Sequence, residues 1–210
     1  MAEERAPSAS GRAYRYVKDR VLDGTLPGGE LISEGEIADA LGMSRTPVRA
    51  AFAQLESEGL LKLYPKRGAL VVPVSAQELE DVIETRWVIE RYAIERAIAD
   101  PGDLPKQLAK SADRQRRLKD GEFAEADRAF HRSLVAATGN TILLGLYDSL
   151  RDRQRRMTRA TIRERDRAER TSAEHREIAD AIAAQDRERA LRALRSHLDA
   201  ALAVLRGTHV

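Results

Sequence analysis

Apolar residues recur at helical spacing along most of the chain, and one stretch breaks the pattern. From Ser10 to Asp23, Tyr14, Val17 and Val21 share a helical face, and Gly24 ends the run. The next segment, "LISEGEIADALGMSRTPVRAAFAQLESEGLLKL", predicts two short helices joined by "LGMS", the length and composition of a helix-turn-helix. After Gly59 the period changes: "LLKLY", a "PKRG" turn and "ALVVPV" predict a two-stranded hairpin. Three helices and a hairpin complete a small winged helix by Val74. Beyond Ser75 there is no strand signal, and helices are predicted at roughly 76–99, 103–119, 122–138, 141–165, 172–184 and 187–206, which make an antiparallel bundle.

Local signals sharpen these bounds. Ser33-x-x-Glu36, Ser75-x-x-Glu78 and Thr171-x-x-Glu174 read as capping boxes, and Ser44 as a further helix cap. The run from Arg151 to Arg170 is so charged that it reads as a solvated helix end and loop. The expected chain is therefore mainly α: a tail over 1–9, a winged helix-turn-helix over 10–74, an all-helical bundle over 75–206, and a tail over 207–210.

Composition changes the picture in two ways. Charged residues make up 33% of the 210, yet the formal net charge is only +2, so any basic patch comes from local distribution. The residues up to Gly42 carry an acidic excess, whereas Met43–Val74 hold Arg45, Arg49, Lys62, Lys66 and Arg67 against Glu56 and Glu58. Cysteine is absent, which excludes disulfides and thiol chemistry and points to a reducing cytoplasm. No apolar leader opens the chain, and nowhere do about 18 apolar residues run together, so neither export nor a membrane partner is expected.

The cluster "GMSRTPVRA" is the first candidate for chemistry. With Ser44 as cap, Val48, Phe52 and Leu55 face inward and leave Arg45 and Arg49 stacked on the outside. Backbone N–H groups at a helix start, with Ser and Thr hydroxyls, suit phosphate oxygens, and arginine suits the paired acceptors of guanine. The plainer reading is a charged, solvated helix.

The bundle holds the second candidate. Helical projection puts Asp127 and His131 on the inward side of one segment, His175 in line with Ile178 and Ile182, and His197 at the edge of a Leu194/Leu198/Ala201 stripe. Each alone reads as a satisfied core or boundary residue. Together, a carboxylate and three imidazoles are costly to bury unpaired, and one divalent cation would satisfy all four. Such a donor set suits zinc, nickel or manganese, with zinc placed first. Arg86 and Glu90 also fall on an inward face, either as a buried ion pair or with Arg86 holding a ligand carboxylate in a forked contact.

Residues 14–73 resemble the winged helix of the GntR superfamily of bacterial transcription regulators, through "SRTPVR", "LESEGL" and "PKRGALVV". One departure is Ala50, where the family commonly has an acidic residue beside the second arginine. The resemblance implies that Arg45 and Arg49 read bases, Ser44 and Thr46 touch phosphates, and the Lys66-Arg67-Gly68 tip approaches the minor groove. From about Val82 to Leu205 the chain looks like the FCD effector-binding domain of the same superfamily, through Arg86 to Glu90, Asp127 to His131, Thr138 to Asn140, Glu174 to Ile178, and His197-Leu198. This implies metal ligation by Asp127, His131, His175 and His197, and a small carboxylate effector near Arg86 and Asn140. It also implies a homodimer on double-stranded operator DNA. Asn140 alternatively caps the next helix.

The expected activity is thus a metal-dependent, effector-controlled regulator, most simply a repressor, and not an enzyme. Two alternatives stand beside it: a metal-dependent hydrolase fused to a DNA-binding domain, and a regulator with a purely structural metal. The hydrolase lacks a base, since Glu174 lies about 100° round the helix from His175 and is expected to point elsewhere.

Overall fold

The structure, a computed structural model, describes residues 8–118, 122–157 and 164–207. It divides into two compact units, Met1–Ser75 and Ala76–Val210. The expected tail residues 1–7 and 208–210, His209 among them, lie outside the described residues.

In the first unit, α1 (Ala9–Leu22) starts one residue before the expected boundary, because the Ser8 side chain accepts from the Gly11 N–H. Helix α2 (Glu34–Leu41) opens on a full capping box, in which Ser33 Oγ accepts from Glu36 N–H and the Glu36 carboxylate accepts from Ser33 N–H. Gly42 ends it in the left-handed region (φ 60°), which turns the chain sharply into α3 (Arg45–Ser57). The wing contains one strand more than the expected hairpin. β2 (Leu61–Tyr64) and β3 (Gly68–Val71) pair antiparallel, and β1 (Leu31–Ile32) adds to the far side of β3 with Leu31 opposite Leu70. Val17, Val48, Phe52, Leu55, Leu61 and Val71 share one buried core, which fixes α3 against α1 and the sheet and leaves its other face outward.

In the second unit, the described elements are α4 (Ala76–Ala99), α5 (Leu104–Gln115), α6 (Phe123–Ala136), α7 (Thr141–Met157), α8 (Glu164–Ala183) and α9 (Arg187–Gly207). Helix α8 packs on α5 and α9, while α4 packs on α6, α7 and α9. Two expectations fail here. Thr171 caps nothing, because α8 already runs through it from Glu164; Thr171 and Ser172 are buried, and Ser172 Oγ donates to the Ala112 carbonyl of α5. Nor is the start of the charged run from Arg151 to Arg170 simply solvated, since Arg151 and Gln154 are buried, while its residues 158–163 lie outside the described residues. Among the described residues no helix is long and apolar enough to cross a membrane.

Candidate functional site

Packing decides what the first unit shows outward. Val48, Phe52 and Leu55 are buried, so Ser44, Arg45, Thr46 and Arg49 are exposed on the opposite side of α3. Ser44 holds the cap position without making a side-chain cap bond, which leaves its hydroxyl available. Ala50 supplies no acid beside Arg49, but Glu34 of α2 does. At the wing tip, Lys66 and Arg67 are exposed, with Lys66 in the left-handed region (φ 62°) after Pro65. Gly68 has a structural reason to be glycine: at φ 102°, a Cβ there would stand 2.2 Å from the Ile32 carbonyl oxygen.

In the second unit, Asp127 and His131 of α6, His175 of α8 and His197 of α9 come together, with one ligand atom from each lying within 4.8 Å of the others. The three imidazoles are buried and Asp127 is partly so. His131 Nε2 lies 3.0 Å from His197 Nε2 and 3.1 Å from His175 Nε2. Asp127 Oδ1 stands 3.7 Å from His131 Nε2 and 3.5 Å from His175 Nε2.

The surrounding residues settle which ring nitrogen of two of these histidines carries the proton, and electrostatics does so for the third. Gln115 donates its amide N–H to the Ala126 carbonyl (2.9 Å), so its oxygen must accept, and His175 Nδ1 donates to it at 2.7 Å. His197 Nδ1 donates to the Glu174 carboxylate at 2.8 Å. His131 Nδ1 lies 2.7 Å from Glu90 Oε2; the carboxylate is out of line for an ideal hydrogen bond but favours a proton on that nitrogen. All three Nε2 atoms therefore present lone pairs to one another, with a carboxylate oxygen alongside. Phe130 stacks on the His175 ring at 3.9 Å and prevents it from turning away.

Charge around the cluster follows the same logic. His175 is held well below its ordinary pKa by burial and by the neighbouring His197 and His131. His197 is lowered chiefly by burial, against the pull of Glu174. Burial alone would raise Asp127, but Arg151, whose Nη2 donates to Oδ2 at 2.6 Å, together with His131 and His175 outweighs it and keeps the carboxylate ionised. Glu90 is likewise kept ionised against burial by Arg86 and His131, and Tyr147 also donates to it at 2.7 Å. The residues fit a divalent cation: converging neutral imidazoles and an anionic oxygen, each oriented from behind by a hydrogen bond or ion pair.

Arg86 forms the buried ion pair of the first reading. Its Nε donates to Glu90 Oε1 at 2.7 Å and its Nη1 to Gln154 Oε1 at 3.1 Å, while its buried Nη2 has no hydrogen-bond partner. Asn140 is not brought to the site; it is exposed, and its side-chain oxygen accepts from Leu143 N–H as a cap for α7. Glu174 does point elsewhere than His175, and because α9 packs beside α8 its carboxylate meets His197 Nδ1. Gln115, Tyr147, Arg151 and Gln154 are further residues of the site that the sequence pattern did not single out.

The family model described as "FCD domain" matches residues 81–200, and "Bacterial regulatory proteins, gntR family" matches residues 9–71. The chain is 32% identical over 192 residues to a probable D-xylose utilization operon transcriptional repressor of Paenarthrobacter nicotinovorans, covering 89% of this chain and 84% of that protein. It is 27% identical over 202 residues to the gluconate operon transcriptional repressor of Bacillus licheniformis, covering 91% and 83%. Among solved structures, a putative GntR transcriptional regulator from Rhodococcus sp. RHA1 superposes with a TM-score of 0.76 at 27% identity, over 94% of this chain and 97% of that one.

Proposed function

The chain belongs to the GntR family of bacterial regulatory proteins, with an FCD domain as its helical unit, and from that premise we propose a repressor whose operator binding answers to a small carboxylate held at a metal ion. That it is a transcription regulator and not an enzyme follows from the family; a fused hydrolase has no further support. The observation that carries the proposal is the meeting of three imidazole lone pairs at 3.0 and 3.1 Å beside Asp127, an arrangement that repels itself until a cation enters.

Asp127, His131, His175 and His197 would hold the ion. The donor set suits zinc, nickel or manganese, and four protein ligands on a five- or six-coordinate ion would leave a position for an exogenous ligand. A divalent ion there supplies positive charge for a carboxylate. The buried, unpartnered Nη2 of Arg86 would add a donor for the same anion, which favours an effector site over a purely structural staple. Likeness to a gluconate operon repressor supports a small organic acid.

At the operator, Arg45 and Arg49 would read bases, with Ser44 and Thr46 on phosphates and Lys66 and Arg67 near the minor groove. Pairing of two copies would use exposed apolar residues one helical turn apart, Val88 and Tyr92 on α4 and Ile142 and Leu146 on α7. Effector control requires different effector affinities in the operator-bound and free states.

A gel-shift titration tests this reading, with a duplex selected from a randomised pool by the wild-type chain. Gluconate or another small carboxylate is expected to release metal-loaded wild type and to leave His131→Ala bound. Equal release of both proteins, or no release by any acid in a broad panel, would contradict it.

A further inference from the structure

The outer face of α3 is not free of constraint. Arg49 Nε donates to Glu34 Oε1 at 2.9 Å and to Oε2 at 3.2 Å, and its Nη2 donates to Oε2 at 2.8 Å. This two-pronged contact joins the first residue of α2 to α3, at the surface: Arg49 is 71% and Glu34 25% exposed at the side chain. An exposed pair of this kind adds little to stability. What it does is fix the plane of the guanidinium.

A guanidinium has five N–H donors. Glu34 engages the Nε hydrogen and one on Nη2, which leaves the outer edge, Nη1 with the remaining Nη2 hydrogen, as a parallel pair facing away from the protein. That pair is the one suited to the O6 and N7 acceptors of a guanine. The neighbouring residue extends the same support. Arg45 lies against Gly35, where a Cβ would stand 3.4 Å from Arg45 Nη2, so a methyl just fits and a larger side chain would displace the arginine. Arg49, chiefly through its hydrogen bonds, and more weakly Arg45 hold the Glu34 carboxyl below its ordinary pKa, which keeps it ionised.

We infer that Glu34 is a positioning residue for sequence reading: it presents one edge of Arg49 to the bases and withholds the other from phosphates. The inference rests on the proposal that Arg49 contacts bases. It adds that discrimination between sequences depends on a carboxylate in the preceding helix, which itself faces the DNA as an unfavourable charge.

That arrangement predicts opposite effects on two duplexes, which a merely structural residue would not produce. Binding is measured on the duplex selected by wild type and on a scrambled duplex of equal length. Glu34→Gln is expected to lower the selected-to-scrambled affinity ratio about tenfold, with affinity for the scrambled duplex unchanged or raised because an anion is gone. Glu34→Asp should restore part of the ratio. A second selection with Glu34→Gln should relax the same base position that Arg49→Ala relaxes. An unchanged ratio in Glu34→Gln while Arg49→Ala loses it would overturn the inference alone. Equal losses on both duplexes, with a lowered thermal midpoint, would overturn it as well. Retention of specific binding by Arg49→Ala would overturn the base-reading proposal and this inference together.

Discussion

At the scale of single residues, the donor cluster is a set of groups kept in the form that binds cations. His175 and His197 have depressed folded-state values, so each favours the fold only while neutral. In chelated protein that contribution is whole above the unfolded histidine value of about 6.5 and is lost as pH falls below it towards the folded values. The thermal midpoint of the chelated chain should therefore drop as pH is lowered from about 7.5 to 5.5, and His175→Gln should flatten the slope; equal slopes would contradict the assignment of neutral imidazoles. The inward direction of the four donors was legible in the sequence because each follows the apolar phase of its own helix. Their supporting residues were not. Projection gives the direction of a side chain but not its neighbour, so the bond between Glu174 and His197 and the amide of Gln115 against His175 depend on which helices adjoin. Arg151 and Gln154 were hidden by their own charged context, which describes an exposed helix unless packing is known.

At the scale of elements, capping and burial compete, and the boxes at Ser33 and Thr171 came out differently. Ser33 caps α2 because nothing helical precedes it, whereas the box at Thr171 yields to the packing of α8 on α5. The two-residue strand β1 was illegible because a period cannot be read from Leu31 and Ile32 alone; it exists only as a partner for β3. By contrast, the helix-turn-helix and the hairpin were plain, since Gly42, Pro65 and Gly68 punctuate them where the backbone turns. Ser33→Ala should cost about 1 kcal/mol in chemical denaturation. It should also weaken discrimination between duplexes, because the cap sets the first turn of α2 and with it Glu34. Unaltered stability would show that the box adds nothing beyond the Glu36 contact.

At the scale of the whole molecule, a chain with a net charge of only +2 keeps a local excess of cations over acids where α3 and the wing meet solvent, and its candidate metal ligands in the helical unit. Two-fold pairing would double the first and leave the second one per chain. Leu146, 62% exposed on α7, is the simplest handle on pairing. Leu146→Glu should shift the chain from dimer to monomer in sedimentation velocity with helix content intact, and an unaltered sedimentation coefficient would remove that face from the account. The most direct test of the central claim is the metal stoichiometry of purified protein, measured by calorimetric titration of nickel or manganese into the chelated chain. One ion per chain is expected for wild type, with binding abolished in His131→Ala and in Asp127→Ala. Failure of wild type to bind either ion or zinc, or full binding by both variants, would contradict it.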